Sequence, residues 1–262
     1  MSRFAAAVQT EMLKSRRSRV PWGVAIGFTL APLVMGLFMV ILKDPERARS
    51  LGLLGAKAQL TAGTADWPTY LSLLGQAVAV GGAVLFAFLT AWIFGREFAD
   101  KTVRGLLANP TSRGTIVLAK ATVLGTWSVA TTAWVLVVGL VIGVLVDLPG
   151  WSPTEGPSAM MGIALAAVLT IALLGWAALF ASIGRGYIAP LAWTVAMVAA
   201  SQILTVLGWG AWFPWAVPAL VAGAGGTAVE PVALGGVFVL LVAAAVGLVA
   251  TVAWWDRADQ TG

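Results

Sequence analysis

The 262 residues contain no cysteine and no histidine. Without thiols there is no disulfide framework and no thiolate nucleophile. Without imidazole, the commonest metal ligand and the usual acid–base catalyst near neutral pH are both missing. Charge is scarce as well: 10% of the residues are Asp, Glu, Lys or Arg, whereas 60% are hydrophobic. Soluble domains carry about 25% charged and 45–50% apolar residues, so this is the composition of a chain that lives in a bilayer. The formal net charge is +5. The basic residues stand at the ends of apolar runs rather than on one folded face, which argues against nucleic acid as a partner and for membrane orientation.

Six apolar runs reach the roughly 20 residues needed to cross a hydrocarbon core. They cover about 22–42, 70–94, 115–146, 159–183, 187–207 and 231–255. The expected organisation is an N-terminal cytoplasmic interfacial helix over 1–20 followed by a single transmembrane domain over 21–262. In the first segment Phe4, Val8, Met12 and Leu13 recur at helical spacing among Arg3, Lys14, Arg16, Arg17 and Arg19, which suits a helix lying along the membrane; a solvated basic tail is the alternative. It does not read as a signal peptide, because the next apolar run is too long for an h-region and no small-residue cleavage site follows. With the N-terminus inside, twelve of the 16 Lys and Arg fall on the cytoplasmic side, leaving Lys43, Arg47, Arg49 and Lys57 outside. This bias predicts that both termini and residues 96–120 are cytoplasmic. Trp22, Trp92, Trp254 and Trp255 then stand at the inner interface, and Trp67 and Trp151 at the outer one. Lys120 is expected to snorkel to the interface from the start of the third span.

The spans also lack charge at their centres. A charged side chain there costs about 2.5 to 3.5 kcal/mol on insertion scales, and ion-coupled transporters keep such residues as ion sites. Only Gln76 and Gln202 are strongly polar at mid-span, and hydrogen bonding between helices is their simpler reading. Were such a chain to transport, its energy would have to arrive from outside the membrane. Gly95–Thr102, GREFADKT, mimics the phosphate-loop pattern GxxxxGK[ST], but Asp100 replaces the glycine that lets backbone N–H groups turn around an anion. No cofactor is expected in this chain, and any ATP and Mg that drive it would be held by another polypeptide.

The densest charged interruption is Arg96–Lys120, REFADKTVRGLLANPTSRGTIVLAK. Phe98, Val103, Leu106 and Leu107 fall near one side of a short helix opposite Asp100, Lys101 and Arg104. Asn109-Pro110 ends it, and Thr111 and Ser112 can cap a new helix carrying Arg113 and Lys120. An ordinary basic loop is the plainer alternative. The spacing of Glu97, Thr102, Leu106-Leu107, Pro110, Arg113 and Lys120 resembles the segment between the second and third membrane helices of type 2 ATP-binding-cassette (ABC) export permeases. Lys101-Thr102 departs from the Gly-Thr usual there. The resemblance implies an all-α polytopic fold in the bacterial cytoplasmic membrane, and a coupling helix that fits a groove on an ATPase subunit. The coupling residues would be Glu97, Thr102, Val103, Arg104, Leu106, Leu107, Pro110, Arg113 and Lys120. It further implies a second permease subunit, most simply a homodimer. The function it implies is ATP-driven export of hydrophobic or amphipathic cargo such as a drug, antibiotic, peptide or lipid-like molecule. A non-transporting immunity or sensor protein is the alternative.

Residues 208–230 are apolar but broken by Pro214, Pro218 and several glycines, so a lipid-exposed crossing would strand backbone polar groups. An outer re-entrant hairpin is expected instead. Trp209, Trp212 and Trp215 would lie at the interface as anchors or as an outer gate over the cargo path, and Glu230 would be back at the surface. Small-residue pairs mark expected helix contacts: Gly139 with Gly143, Gly81-Gly82 interrupting the second span, and Gly235-Gly236.

Overall fold

The computed structural model describes residues 2–44, 46, 52, 63–107, 111–223 and 232–258. It is helical, with no strand among the described residues. Six helices are long and apolar enough to cross a membrane: α2 (Val20–Lys43), α3 (Trp67–Ala99), α5 (Arg113–Leu145), α6 (Glu155–Ile183), α7 (Ile188–Val206) and α9 (Leu234–Arg257). Three shorter helices join them: α1 (Arg3–Arg17), α4 (Val103–Leu107) and α8 (Val217–Val221). The six spans fall where the apolar runs put them.

Local chemistry sets the boundaries. Asp66 caps α3 by accepting from Thr69 N–H at 2.9 Å, and Ser112 caps α5 by accepting from Thr115 N–H at 3.3 Å. Helix ends are closed by paired Schellman bonds. After α3, Thr102 N–H reaches Glu97 O at 2.8 Å and Lys101 N–H reaches Phe98 O at 3.2 Å. The same pattern closes α5 through Leu148 and Asp147, and α6 through Gly186 and Arg185. The left-handed residue in these caps is Lys101, Asp147 or Arg185, with φ of 56°, 54° and 48°. Two cations borrowed from neighbouring helices also serve C-termini, where they meet orphan carbonyls and the negative end of the helix dipole. Lys43 of α2 donates to Val146 O and Asp147 O at 2.6 and 2.7 Å, and Arg113 of α5 donates to Trp255 O and Ala258 O at 3.0 and 3.1 Å.

At the centre of the bundle lie α3 and α6, each with 56% of its apolar window buried, whereas α7 has 17%. The α3–α5 contact is made by the Gly139/Gly143 pair: a Cβ on Gly139 would sit 2.6 Å from Leu74, and one on Gly143 would sit 2.2 Å from the Trp67 ring. Tyr70 donates its hydroxyl to Gly139 O at 3.0 Å inside this contact. The glycine pair is thus a groove that receives α3 of the same chain.

Several sequence expectations change. Gly81-Gly82 does not interrupt α3, which continues through a π-helical turn at Ala77–Gly81. Span α6 pauses at Leu173 between Glu155–Ala172 and Leu174–Ile183. Gln76 donates to Ser72 on its own helix at 3.3 Å, and Gln202 stands on an exposed face, so the expected interhelical bonding is not their geometry. Trp67 and Trp255 are core residues rather than interface anchors; Trp255 is 0% exposed and donates to Ser182 Oγ at 2.9 Å.

Candidate functional site

Both α3 and α5 span 33 residues, about 50 Å at 1.5 Å per residue, against a hydrocarbon core of about 30 Å. That length lets their joined ends extend beyond the hydrocarbon as a stalk, with α4 between them and α1 packed on α5. Phe98 belongs to α3 rather than to the short helix, and packs edge-on against Trp254 and Trp255 at 6.0 and 5.6 Å. The short helix is described over Val103–Leu107, and Asn109-Pro110, where the pattern ends it, lies outside the described residues.

Four charged residues from three helices close a ring inside this stalk. Lys120 of α5 is 0% exposed and Glu97 of α3 is 3% exposed. Lys120 Nζ lies 3.1 Å from Glu11 Oε2 and 2.6 Å from Glu97 Oε2 and donates to Ile93 O at 2.9 Å. Its contact with Glu97 Oε2 is an ion pair without hydrogen-bond geometry, and that buried oxygen has no hydrogen-bond partner among the described residues. Lys14 Nζ completes the circuit, 2.5 Å from Glu11 Oε1 and 3.1 Å from Glu97 Oε1. Signs alternate around the ring, so each carboxylate has two ammonium neighbours and each ammonium two carboxylates. Lys120 does not snorkel; its charge is held within the protein.

Burial alone would raise the pKa of Glu11 and is the largest influence on it, yet Lys120 and Lys14 together hold it below its ordinary value of 4.5. Lys14 mirrors this: burial pulls it down, while Glu11 and Glu97 outweigh burial and lift it above 10.5. Breaking one member would leave a buried, uncompensated charge, the expensive outcome for any buried ion pair. Ser15, four residues beyond Glu11, accepts from Trp127 Nε1 at 2.9 Å and pins α1 to α5 a second time.

Sequence reasoning placed Glu97 and Lys120 in the site but missed Glu11, Lys14 and Ser15. A signal was there: Glu11 is the only acidic residue among the first 43. It lies on the helical stripe Val8, Glu11, Met12, Ser15, which is the buried face of α1, whereas Phe4 and Leu13 face outward. The remaining sequence-derived residues divide. Thr102 is exposed and its backbone closes the turn after α3. Val103 is 7% exposed and points into the chain, so it supports α4 rather than meeting a partner directly. Leu106 is half-buried and, with Ala6, Thr10 and Ile116, lines a cleft of about 340 Å³ between α1, α4 and α5. Arg104 and Leu107 lie within α4, and Pro110 lies outside the described residues. Arg113 caps α9. The Gly95–Thr102 mimic of a phosphate loop is helix followed by a Schellman turn, so the N–H groups of Asp100, Lys101 and Thr102 already bond to Arg96, Phe98 and Glu97.

At the opposite end, Gly210–Trp212 forms a 3₁₀ turn and α8 packs back into the bundle, where Ala222 meets Ala79 and Ala166, and Val217 meets Leu169 and Leu240. The returning half of the expected hairpin, with Glu230, lies outside the described residues. The three tryptophans are not brought together. Trp209 and Trp212 are exposed, although Trp212 rests on Gly235, where a Cβ would come within 2.9 Å of its ring. Trp215 turns inward to Trp193 and Trp176, at 5.8 and 6.2 Å.

Residues 7–201 match the family described as ABC-2 family transporter protein. Over 185 residues the chain is 28% identical to a bacitracin transport permease protein, BCRB, of Bacillus licheniformis, covering 68% of this chain and 85% of that one. No solved structure matches.

Proposed function

As a member of the ABC-2 family of transporter proteins, this multi-pass chain is an ABC transporter permease that works with an ATPase subunit, and we propose that it exports an amphipathic, membrane-active compound. The name of the bacitracin transport relative supports a peptide antibiotic or a molecule of similar character as cargo. ATP on the partner as the energy source is supported by span centres that carry no charged residue to serve as an ion site.

The observation that carries the coupling role is the stalk: a short helix hung between the ends of two spans and backed by a closed ring of charge in which Lys120 and both carboxylates are buried and Lys14 is partly exposed. A force on α4 would reach α3 through the turn bonded to Glu97 and α5 through Lys120. In this reading Thr102, Gly105 and Leu106 face the ATPase, with Arg104, Leu107 and Pro110 beside them, while Val103, Glu97 and Lys120 hold the platform. Both termini lie in the cytoplasm of a bacterial cell. A second copy completes the transporter, and α7, the span with the smallest buried share, is the candidate seam. Trp209 and Trp212 are the outer residues still placed to touch departing cargo.

The test uses Gly105, which is exposed and has open space where a Cβ would stand. Gly105→Arg should leave the permease folded while preventing co-purification of the ATPase and abolishing ATP-dependent cargo efflux from cells. Normal efflux in that variant would remove α4 from the coupling interface. A non-transporting immunity protein would instead bind cargo with no dependence on ATP.

A further inference from the structure

The lipid-facing surface between α2 and α5 is creased by a groove of about 610 Å³, with Ala25 and Ala130 among its floor residues and Trp22, Ile26, Leu30 and Trp134 along its walls. It runs from Trp22 to Leu33, eleven helical residues or about 16 Å, which is the depth of one leaflet of a core about 30 Å thick. Every tryptophan in it has its N–H satisfied inside the chain. Trp22 donates to Arg16 O at 3.4 Å, Trp127 to Ser15 Oγ at 2.9 Å and Trp134 to Thr29 Oγ1 at 2.9 Å. The groove therefore presents hydrocarbon and ring faces, with no indole donor left for a polar cargo.

Its mouth is different. Trp22 and Trp127 meet edge-to-face at 5.1 Å, and their bonds to Ser15 and Arg16 fix the last turn of α1 over that end. Arg16 and Arg17 belong to that turn and Arg19 to the link into α2; all three are exposed, and none forms an ion pair with a carboxylate among the described residues. Three uncompensated guanidinium groups above an apolar slot one leaflet deep match a ligand with an anionic head and a hydrocarbon tail. A second copy of the chain fits less well. A two-fold axis along the membrane normal would bring both arginine triads to the same side of the same contact, where they repel.

We propose that this groove binds one anionic phospholipid, with an acyl chain between α2 and α5 and its phosphate on Arg16, Arg17 and Arg19. Because the mouth lies at the N-terminal end of α2, the orientation proposed above puts this lipid in the inner leaflet; that assignment alone rests on the orientation, and the site itself does not. The test is native mass spectrometry of the full-length chain in detergent, titrated with phosphatidylglycerol or phosphatidylcholine of identical acyl chains. Phosphatidylglycerol should bind at least about tenfold more tightly. Changing all three arginines to glutamine should erase that preference, changing them to lysine should keep most of it, and Ala130→Phe, which fills the floor, should abolish retention of either lipid. Equal affinity for the two headgroups, a preference that survives the triple glutamine change, or unchanged retention in Ala130→Phe would each overturn the proposal. So would spontaneous disulfide pairing of two Ile26→Cys chains, which would mean that a second copy occupies the groove.

Discussion

Lys101 turns the chain from α3 into α4 with its backbone in the left-handed conformation, a state that costs a residue bearing a Cβ roughly 1–2 kcal/mol and that glycine adopts freely. Asp147 and Arg185 carry the same strain at the ends of α5 and α6. The departure from Gly-Thr at this point therefore stores strain without loosening the turn. Lys101→Gly should raise stability by up to about 1 kcal/mol, part of the relief being offset by glycine's larger unfolded-state entropy. Thermal unfolding in detergent would measure it, and Lys101→Val should move the other way. The buried ring makes a second residue-level prediction. The Glu11 carboxyl is held below 4.5, so its contribution is present above that value and lost as pH falls through the lower folded value. Lys14 is held above 10.5, so its contribution is present below that value and lost as pH rises through the higher one. Attachment of α1 should accordingly be level between these limits, as read by hydrogen exchange over residues 3–17. Lys14→Met should shift the acid limb toward neutral pH, because burial, already the largest influence on Glu11, would then meet only one ammonium. An acid limb unmoved by that change would count against the ring.

Among elements, the α3–α5 contact is the sharpest packing constraint. Adding a methyl at Gly143 drives it into the rigid Trp67 ring, and overpacking of this kind typically costs about 1–3 kcal/mol. Gly143→Ala should lower the unfolding temperature, and Trp67→Leu in the same chain should recover part of the loss. Gly125, on the same helix with nothing within 4 Å of a built Cβ, is the control: Gly125→Ala should be neutral or mildly stabilising, since alanine is the better helix former. If both alanine changes behave alike, backbone propensity rather than packing governs α5. Elements were legible in the sequence where one physical rule dominated. Spans follow from uninterrupted hydropathy and α5 begins at the cap that Thr111-Ser112 announced. Less legible were features set by several helices at once. Whether Lys120 reaches lipid or a carboxylate depends on where Glu11 arrives, and Glu11 sits 109 positions away in sequence. Trp255 looked like an interface anchor because its partner Ser182 lies on another span.

At the scale of the molecule, the proposed topology rests on twelve basic residues against four and can be tested because the chain has no cysteine of its own. Lys101→Cys should resist a membrane-impermeant thiol reagent in intact cells, and Thr154→Cys should react. Labelling of Lys101→Cys from outside would invert the orientation and move the stalk to the wrong side for an ATPase. The ring has a further consequence for how the whole molecule responds to its medium. Two ammonium and two carboxylate groups cancel, so the net +5 resides entirely elsewhere, with Arg16, Arg17 and Arg19 among its carriers. At 1 M ionic strength the Debye length shrinks to about 3 Å, which quenches attraction between exposed charges and leaves buried contacts nearly untouched. Raising salt should therefore strip whatever the arginines hold while α1 stays fastened to α5: one helix, with a grip that ignores salt on its inner face and a grip that salt releases at its outer end.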